Sequence, residues 1–186
     1  MDKLRRMTAP VACLLCLAVL QPFSAVAREL PAKGAALPEF QITAPIDAQD
    51  RQYLGISGDS FQIRDVDCRI IVVEIVGAYC PRCYEQAPLL NTLQKRLERA
   101  KLGEAVKMLA IAAGATQAEA DMVRQQWGHR FPVVEDEKFS VHKLLGEPRT
   151  PFTLVADRQG RVLFVHAGTF QEIDGFYQTI KSLLGR

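Results

Sequence analysis

The run VVEIVGAYCPRCYEQAP, Val72 to Pro88, decides how the chain folds, because an apolar stretch is followed at once by two cysteines and a helical pattern. The apolar stretch extends back to Arg69, and such a β-branched run is typical of a strand buried on both faces of a sheet. Pro81 suits the first helical position, where its missing N–H costs nothing. We therefore expect Cys80 at the N-terminus of a helix that follows a central strand.

Cys80 and Cys83 form a C-x-x-C pair, which can be a structural disulfide, half of a zinc site or a redox centre. A closed zinc site needs two more ligands at short spacing, whereas His129, His142 and His166 are scattered singly. A disulfide that closes so short a loop constrains the unfolded chain little. A redox centre is thus favoured, no bound metal is expected, and a copper or zinc carrier is the alternative.

The position of the pair suggests a different role for each sulfur. Only a thiolate is a nucleophile, and unpaired N–H groups and the dipole at a helix N-terminus favour that charge on Cys80. Arg82 adds a cation next to it. Cys83 lies one turn further on the same helical face and can attack a mixed disulfide formed at Cys80. We expect Cys80 to attack and Cys83 to resolve.

The N-terminus has the pattern of an export signal. A short basic region, MDKLRR, precedes an apolar run over 11–20, and Ala25-Val26-Ala27 fits a signal peptidase site. We predict a cleaved signal peptide over 1–27, a linker over 28–37 and one domain over 38–186, placed in the periplasm. An uncleaved membrane anchor is the alternative, since 9–27 is close to the about 20 residues that span a bilayer.

The composition bounds the classes of function. The chain has 186 residues, of which 48% are hydrophobic, and this suits one domain with a sizeable core. The net charge of +2 comes from the N-terminal segment, which holds Asp2, Lys3, Arg5 and Arg6. The predicted domain is therefore neutral and lacks the basic footprint of nucleic-acid binding.

Periodicity predicts an alternation of strands and helices along the domain. Strands are expected at 69–76, 106–114, 131–136, 151–156 and 161–168, with a short one at 40–42 and an edge strand or loop at 60–66. Helices are expected from 81 to about 100 with a kink at Pro88, after the capping box of Thr116 and Glu119, at 140–146 and at 172–184. This order predicts an α/β fold, a mixed sheet flanked by helices on both faces.

The run from Val72 to Pro88 resembles the active-site strand and helix of the thioredoxin superfamily, in particular the extracytoplasmic TlpA-like thiol–disulfide oxidoreductases. The likeness covers about 37–184, and 146–168 is similar to the substrate-binding loop and final hairpin of that family. The resemblance implies a thioredoxin-like fold and an enzyme that exchanges disulfides with protein cysteines, without a cofactor. It also implies protein substrates and a membrane redox partner, and it favours the reducing direction.

The resemblance also implies roles for particular residues. Thr150-Pro151 falls where that family has a cis-proline that takes up the substrate backbone. Glu74 lies six residues before Cys80, the offset of a buried acid that exchanges a proton with Cys83. The alternative for Glu74 is a strand-edge side chain that reaches solvent.

The surroundings of the first cysteine complete the implied binding surface. Tyr79 replaces the usual tryptophan, and we assign Tyr79, Pro81 and Arg82 to substrate binding with the cis-proline loop.

The sequence also departs from the family pattern. Gln86 stands where many TlpA-like proteins have a glutamate, so that acid is not carried over. Gly77 stands where peroxiredoxins have a threonine, which disfavours a peroxidase. Cys68 has no role that we can assign from the family, and we interpret it as an unreactive thiol, with a handle for intermolecular pairing as the alternative.

Overall fold

The computed structural model describes residues 29–43, 47–58 and 60–185, so the predicted signal peptide lies outside the described residues. The strands are β1 (Ile42–Thr43), β2 (Ser60–Phe61), β3 (Ile70–Val76), β4 (Val106–Ala113), β5 (Val133–Asp136), β6 (Phe152–Asp157) and β7 (Val162–Ala167). The helices are α1 (Ala48–Leu54), α2 (Pro81–Arg99), α3 (Gln117–Trp127), α4 (Ser140–Leu144) and α5 (Asp174–Leu183), with a 3₁₀ turn at Ile63–Asp65. Within this described part, none of the helices combines the length and apolar character needed to cross a membrane.

Five strands form one mixed sheet in the order β5-β4-β3-β6-β7. Strand β4 runs parallel to both β3 and β5, whereas β6 is antiparallel to β3 and β7. Every residue of β3 is buried, as its continuous apolar run predicts. The predicted mixed sheet is confirmed, and its central strand leads directly into the cysteine pair.

Side chains of β3 alternate between two hydrophobic cores, one on each face of the sheet. Ile70, Val72 and Val76 join the core that contains the buried faces of α2, α3 and α5. Ile71 and Ile75 join the opposite core, to which α1 and α4 contribute. Helices therefore cover both faces, and α2 lies on the same face as the side chain of Glu74, which alternates with Val72 and Val76.

Helix α2 begins where the sequence predicts. Cys80 is the N-cap in an extended conformation, Pro81 occupies the first turn, and Pro88 lies inside the helix. The opposite side of the helix carries most of its charged residues and faces solvent. The side that packs on the sheet consists of Cys83, Gln86, Ala87, Leu90, Leu93, Gln94 and Leu97.

Helix α1 is not predicted from the sequence, which indicates an irregular segment over 28–50. Asp47 caps it by accepting the amide of Asp50 at 2.7 Å, and Leu54 at its end is fully buried. Both carboxylate oxygens of Asp50 accept from Arg124 of α3 at 2.7 Å. At 7 residues the helix is too short to show a period, and tertiary contacts hold it.

Two other predicted elements differ from the structure. Of the alternating stretch 60–66, only Ser60 and Phe61 pair as a strand, with β1, and a 3₁₀ turn follows. The last helix begins at Asp174 rather than at 172, because the Glu172 carboxylate accepts the amides of Asp174 and Gly175.

Residues of the segment predicted as a linker run along the edge of β7. The amide of Gly34 donates to the Val162 carbonyl at 2.8 Å, and Val162 donates back to Ala35 at 2.8 Å. The amide of Leu37 donates to Gly160 at 2.7 Å. This segment pairs part of a sheet edge that would otherwise expose its polar groups.

The Leu93→Ala variant measures how much the packing of α2 on the sheet contributes to the stability of the fold. The Leu93 side chain is fully buried, so Leu93→Ala removes apolar contacts and leaves a cavity. We expect a loss of about 2–5 kcal/mol in the free energy of unfolding, measured with urea. The exposed Lys95→Ala serves as the control and should change it by less than about 0.5 kcal/mol. A loss at Leu93 no larger than that of the control would contradict this packing.

Candidate active site

Cys80 and Cys83 are joined as a disulfide at the start of α2, with their Cα atoms 5.3 Å apart. Cys83 is 2% exposed, whereas Cys80 is only partly buried. A second protein can therefore contact Cys80, whereas Cys83 is shielded from solvent behind it. The two cysteines therefore differ in their access to solvent, with Cys80 the more accessible.

Backbone amides and the helix dipole act on the sulfur of Cys80. The Cys83 amide donates to Cys80 Sγ at 3.2 Å, and the 19-residue helix directs its positive end at the same atom. Arg82 is exposed on the first turn. After reduction, the Cys83 amide and the helix dipole favour a thiolate at Cys80 over a neutral thiol.

The loop before β6 closes the other side of the pair. The Thr150–Pro151 peptide bond is cis, as the resemblance implies. The Thr150 carbonyl oxygen lies 3.7 Å from Cys80 Sγ, and the amide of Gly168 donates to the Pro151 carbonyl at 2.9 Å. The backbone of the cis-proline loop is thus fixed beside the partly buried Cys80.

Glu74 lies beneath α2 in the middle of β3 and is 2% exposed, so the alternative of a side chain that reaches solvent is wrong. Thr153 Oγ1 donates to Glu74 Oε2 at 2.6 Å, and Gln86 Nε2 donates to Glu74 Oε1. Gln86 follows Cys83 by three residues on α2, which places both side chains on the helix face that covers Glu74. Gln86 is therefore the α2 side chain that hydrogen-bonds the acid.

Burial raises the pKa of Glu74 to about 7, while the hydrogen bonds from Thr153 and Gln86 oppose that rise. Desolvation penalises the carboxylate, and the two donors stabilise it. Near neutral pH the group can therefore either accept or donate a proton. A group with this pKa, hydrogen-bonded to the helix that carries the cysteine pair, is suited to acid–base chemistry.

Tyr79 is 77% exposed, and its hydroxyl donates to Glu119 Oε1 at 2.8 Å. That carboxylate raises the pKa of Tyr79. Glu119 also accepts the amide of Thr116 at 2.8 Å in the predicted capping box of α3. The aromatic ring before Cys80 is thereby tethered to a second helix and presents its face to solvent.

Cys68 and His129, both among the described residues, take no part in this chemistry. Cys68 is buried, and burial raises the pKa of its thiol to about 11, so it stays protonated. His129 is buried against Phe131, and its Nδ1 lies 2.8 Å from Asn91 Oδ1. In the described ranges, no group of three or more His, Cys, Asp or Glu side chains is placed to hold a metal ion.

Sequence reasoning missed three contributors to the acid network. Gln86 is noted only as a departure, yet its Oε1 accepts the Phe170 amide at 2.9 Å while its Nε2 reaches Glu74. Thr153 faces Glu74 directly across the β3–β6 pair. The three-residue spacing from Cys83 could have predicted that Gln86 lies on the same helix face. Phe170 contributes only its backbone amide, which no sequence pattern predicts.

The redoxin family pattern matches residues 32–180. A thiol-disulfide oxidoreductase ResA of Halalkalibacterium halodurans is 24% identical over 68% of this chain and 70% of its own length. A candidate thiol:disulfide interchange protein DsbE of Chlorobium tepidum has the same fold, with a TM-score of 0.66, 21% identity, and coverage of 83% of this chain and 99% of its own. A secreted Mycobacterium tuberculosis disulfide oxidoreductase has a TM-score of 0.58, 16% identity, and coverage of 77% and 95%.

These likenesses confirm the predicted enzyme class and the predicted thioredoxin-like, TlpA-like resemblance. The match covers most of the described residues, including β3, α2 and the cis-proline loop. The chain belongs to the redoxin family.

Proposed function

We propose that this chain is a thiol–disulfide oxidoreductase that exchanges disulfides with protein cysteines outside the cytoplasm. One observation carries the proposal: a disulfide at the N-terminus of α2, with Cys80 partly exposed beside a cis-proline loop and Cys83 buried behind it. A structural disulfide has no need of a reachable sulfur that accepts a helix amide.

The reaction begins with the reduced pair. The Cys80 thiolate attacks one sulfur of a substrate disulfide, the substrate S–S bond breaks, and the departing thiolate takes a proton from water. Cys83 then loses its proton, attacks Cys80 Sγ and releases the second substrate thiol. Two electrons pass from the enzyme dithiol to the substrate, and the enzyme ends in the disulfide form seen in the structure.

Glu74 supplies the proton exchange for the second step. As carboxylate, it takes the proton of the Cys83 thiol directly or through one water. Its position under α2 and its pKa of about 7 support this role.

The substrate lies across the cis-proline loop and the first turn of α2. Thr150 and Pro151 offer a fixed backbone next to Cys80, while Tyr79, Pro81 and Arg82 form the exposed rim. The Tyr79 ring, tethered through Glu119, provides an apolar contact for side chains that flank the substrate cysteine.

We infer that the enzyme is exported by the signal at 1–27 and works in the periplasm, with the membrane anchor as the alternative. The structural neighbour from Mycobacterium tuberculosis, which is described as secreted, supports this location. We favour the reducing direction, in which a membrane redox partner would regenerate the dithiol. The linker at 28–37 and the domain at 38–186 remain predictions.

The Cys83→Ala variant tests the proposed roles. Because the resolving thiol is absent, we expect mixed disulfides to accumulate on Cys80, detected by non-reducing gels and mass spectrometry of the exported protein. Cys80→Ala should capture nothing, and Cys68→Ala, which removes the buried thiol, should behave as wild type. Capture by Cys80→Ala but not by Cys83→Ala would reverse the roles. Equilibration of the wild type with glutathione gives the potential and hence the direction.

The Glu74→Gln variant tests the proton exchange. We expect wild-type resolution of the mixed disulfide to speed up with a midpoint near pH 7, the pKa of Glu74, and the variant to lack this rise. At pH 8 the variant should be slower by about 100-fold, and the gap should narrow as the thiol ionises unaided above about pH 9. Rapid quenching followed by mass spectrometry measures the step. Glu85→Gln, an exposed acid on α2, is the control, and parallel pH profiles for Glu74→Gln and wild type would refute the role.

The same variant gives a stability signature in the oxidised protein, where the pair does not titrate. The unfolded carboxyl ionises near 4.5 and the folded one near 7, so the folded state holds more protons between these values. Raising the pH from 4.5 to 7 should therefore lower wild-type stability relative to Glu74→Gln by up to about 3 kcal/mol. Burial lowers the pKa of His129 to about 4, which has the opposite effect, so only the difference between the two proteins is informative. A flat difference would mean that Glu74 ionises normally.

A further inference from the structure

The cis-proline loop, residues 146–151, runs from the end of α4 to the start of β6. It carries Thr150, whose carbonyl lies beside Cys80 Sγ, and Pro151. Strand β6 fixes the far end of the loop through its ladder to β3. The near end follows a helix of only 5 residues, so another device must hold it.

His142 on α4 contacts this near end twice. Its ring Nε2 lies 3.0 Å from the Pro148 carbonyl oxygen, and its backbone carbonyl accepts the amide of Glu147 at 3.0 Å. Glu147 has a φ of 56°, a left-handed conformation that a glutamate adopts only when its surroundings impose it. One hydrogen bond from His142 fixes the amide of Glu147, and the other fixes the carbonyl of the following residue, Pro148, so together they hold Glu147 in this conformation.

The bond to Pro148 also defines the state of the ring. A carbonyl oxygen can only accept, so Nε2 must carry the hydrogen. The other ring nitrogen, Nδ1, is buried and has no hydrogen-bond partner. Phe139 packs edge-on against the ring with centroids 5.6 Å apart. The ring is thus held in a single orientation with its donor directed at the loop.

Helix α4 is itself anchored to the sheet. Asp136, at the end of β5, accepts the amide of Val141 at 3.1 Å with one oxygen and that of His142 at 2.9 Å with the other. Asp136 is buried, so these bonds are shielded from water. A continuous set of hydrogen bonds therefore links an outer strand, through His142, to the loop.

We propose that His142 is a positioning residue that sets the place of the cis-proline loop against Cys80 and thereby determines affinity for extended peptide substrates. The inference rests on the proposed function and adds a residue to it. His142 touches neither sulfur, so it acts on binding of the substrate backbone and leaves the sulfur chemistry unchanged.

The test compares two substrates under steady-state turnover with dithiothreitol as the reductant. One is a peptide disulfide, which needs the loop, and the other is hydroxyethyl disulfide, which has no peptide backbone. His142→Phe keeps the ring and its contact with Phe139 but removes the donor. We expect its KM for the peptide to rise about five- to tenfold, with kcat and the rate on hydroxyethyl disulfide within about twofold of wild type.

Matched variants distinguish positioning from general damage. His142→Gln retains a donor near the position of Nε2 and should restore the peptide KM to within about twofold. The exposed neighbour Lys143→Ala should match wild type. If His142→Phe does not fold, as judged by circular dichroism, Asp136→Asn loosens the anchor of α4 more gently and should raise the peptide KM about threefold.

Equal losses on both substrates, or none on either, would overturn the proposal. Hydrogen exchange at the Glu147 amide is a second readout that does not depend on activity. It should accelerate in His142→Phe and not in His142→Gln. If the wild-type protein acts on neither disulfide, the proposed function is wrong. If hydrogen exchange at the Glu147 amide is the same in His142→Phe and in wild type, His142 does not hold the loop.

Discussion

The amide of Cys83 donates to the sulfur of Cys80, and this bond exists because Cys80 is the N-cap of α2, after the short turn of residues 77–79 that follows β3. The first amides of a helix have no partner within the helix, so an anion placed at the N-cap satisfies them. Pro81 removes one amide that would otherwise compete. The sulfur can be a stable anion only while α2 stays packed on the sheet, and its reactivity therefore depends on the hydrophobic core.

Burial of Glu74 in the central strand opposes stability, since desolvation of a carboxylate is unfavourable. The fold tolerates it because Thr153 and Gln86 each donate a hydrogen bond to it, and because near pH 7 it can carry a proton. Gln86 suits this place better than a second acid. Its oxygen is fixed by the Phe170 amide, which turns its NH₂ group toward Glu74, whereas a glutamate would set two carboxyl groups against each other.

The elements predicted from the sequence are those whose signals are local. Strand β3 is a continuous β-branched run, and α2 starts with a proline and continues with apolar residues at helical spacing. Helix α1 escaped prediction because an ion pair between Asp50 and Arg124 holds it, and that contact spans 74 positions of the chain.

The site follows the same division. The sequence places Cys80, Cys83 and the helix start, and the resemblance adds Glu74 and the cis-proline. In the sequence, Thr153 is an ordinary strand residue and Gln86 only differs from the family pattern. The sheet register places Thr153 opposite Glu74, and the packing of α2 on the sheet places Gln86 against it. The link from His142 to Pro148 depends on a loop conformation that no periodicity encodes.

The site therefore consists of two parts that are fixed independently. The sulfur and its acid come from β3 and α2, while the peptide-binding loop comes from β5, α4 and β6, and the two parts meet where the Thr150 carbonyl approaches Cys80. Groups that stabilise the thiolate, such as Arg82 and the helix dipole, make the disulfide a stronger oxidant. Their action on the sulfur is separate from the loop anchor, because the hydrogen bonds of Asp136 lead to α4 and the ring of His142 leads to Pro148. Redox potential and substrate preference can thus change separately in this fold, which lets one scaffold serve either direction of electron flow.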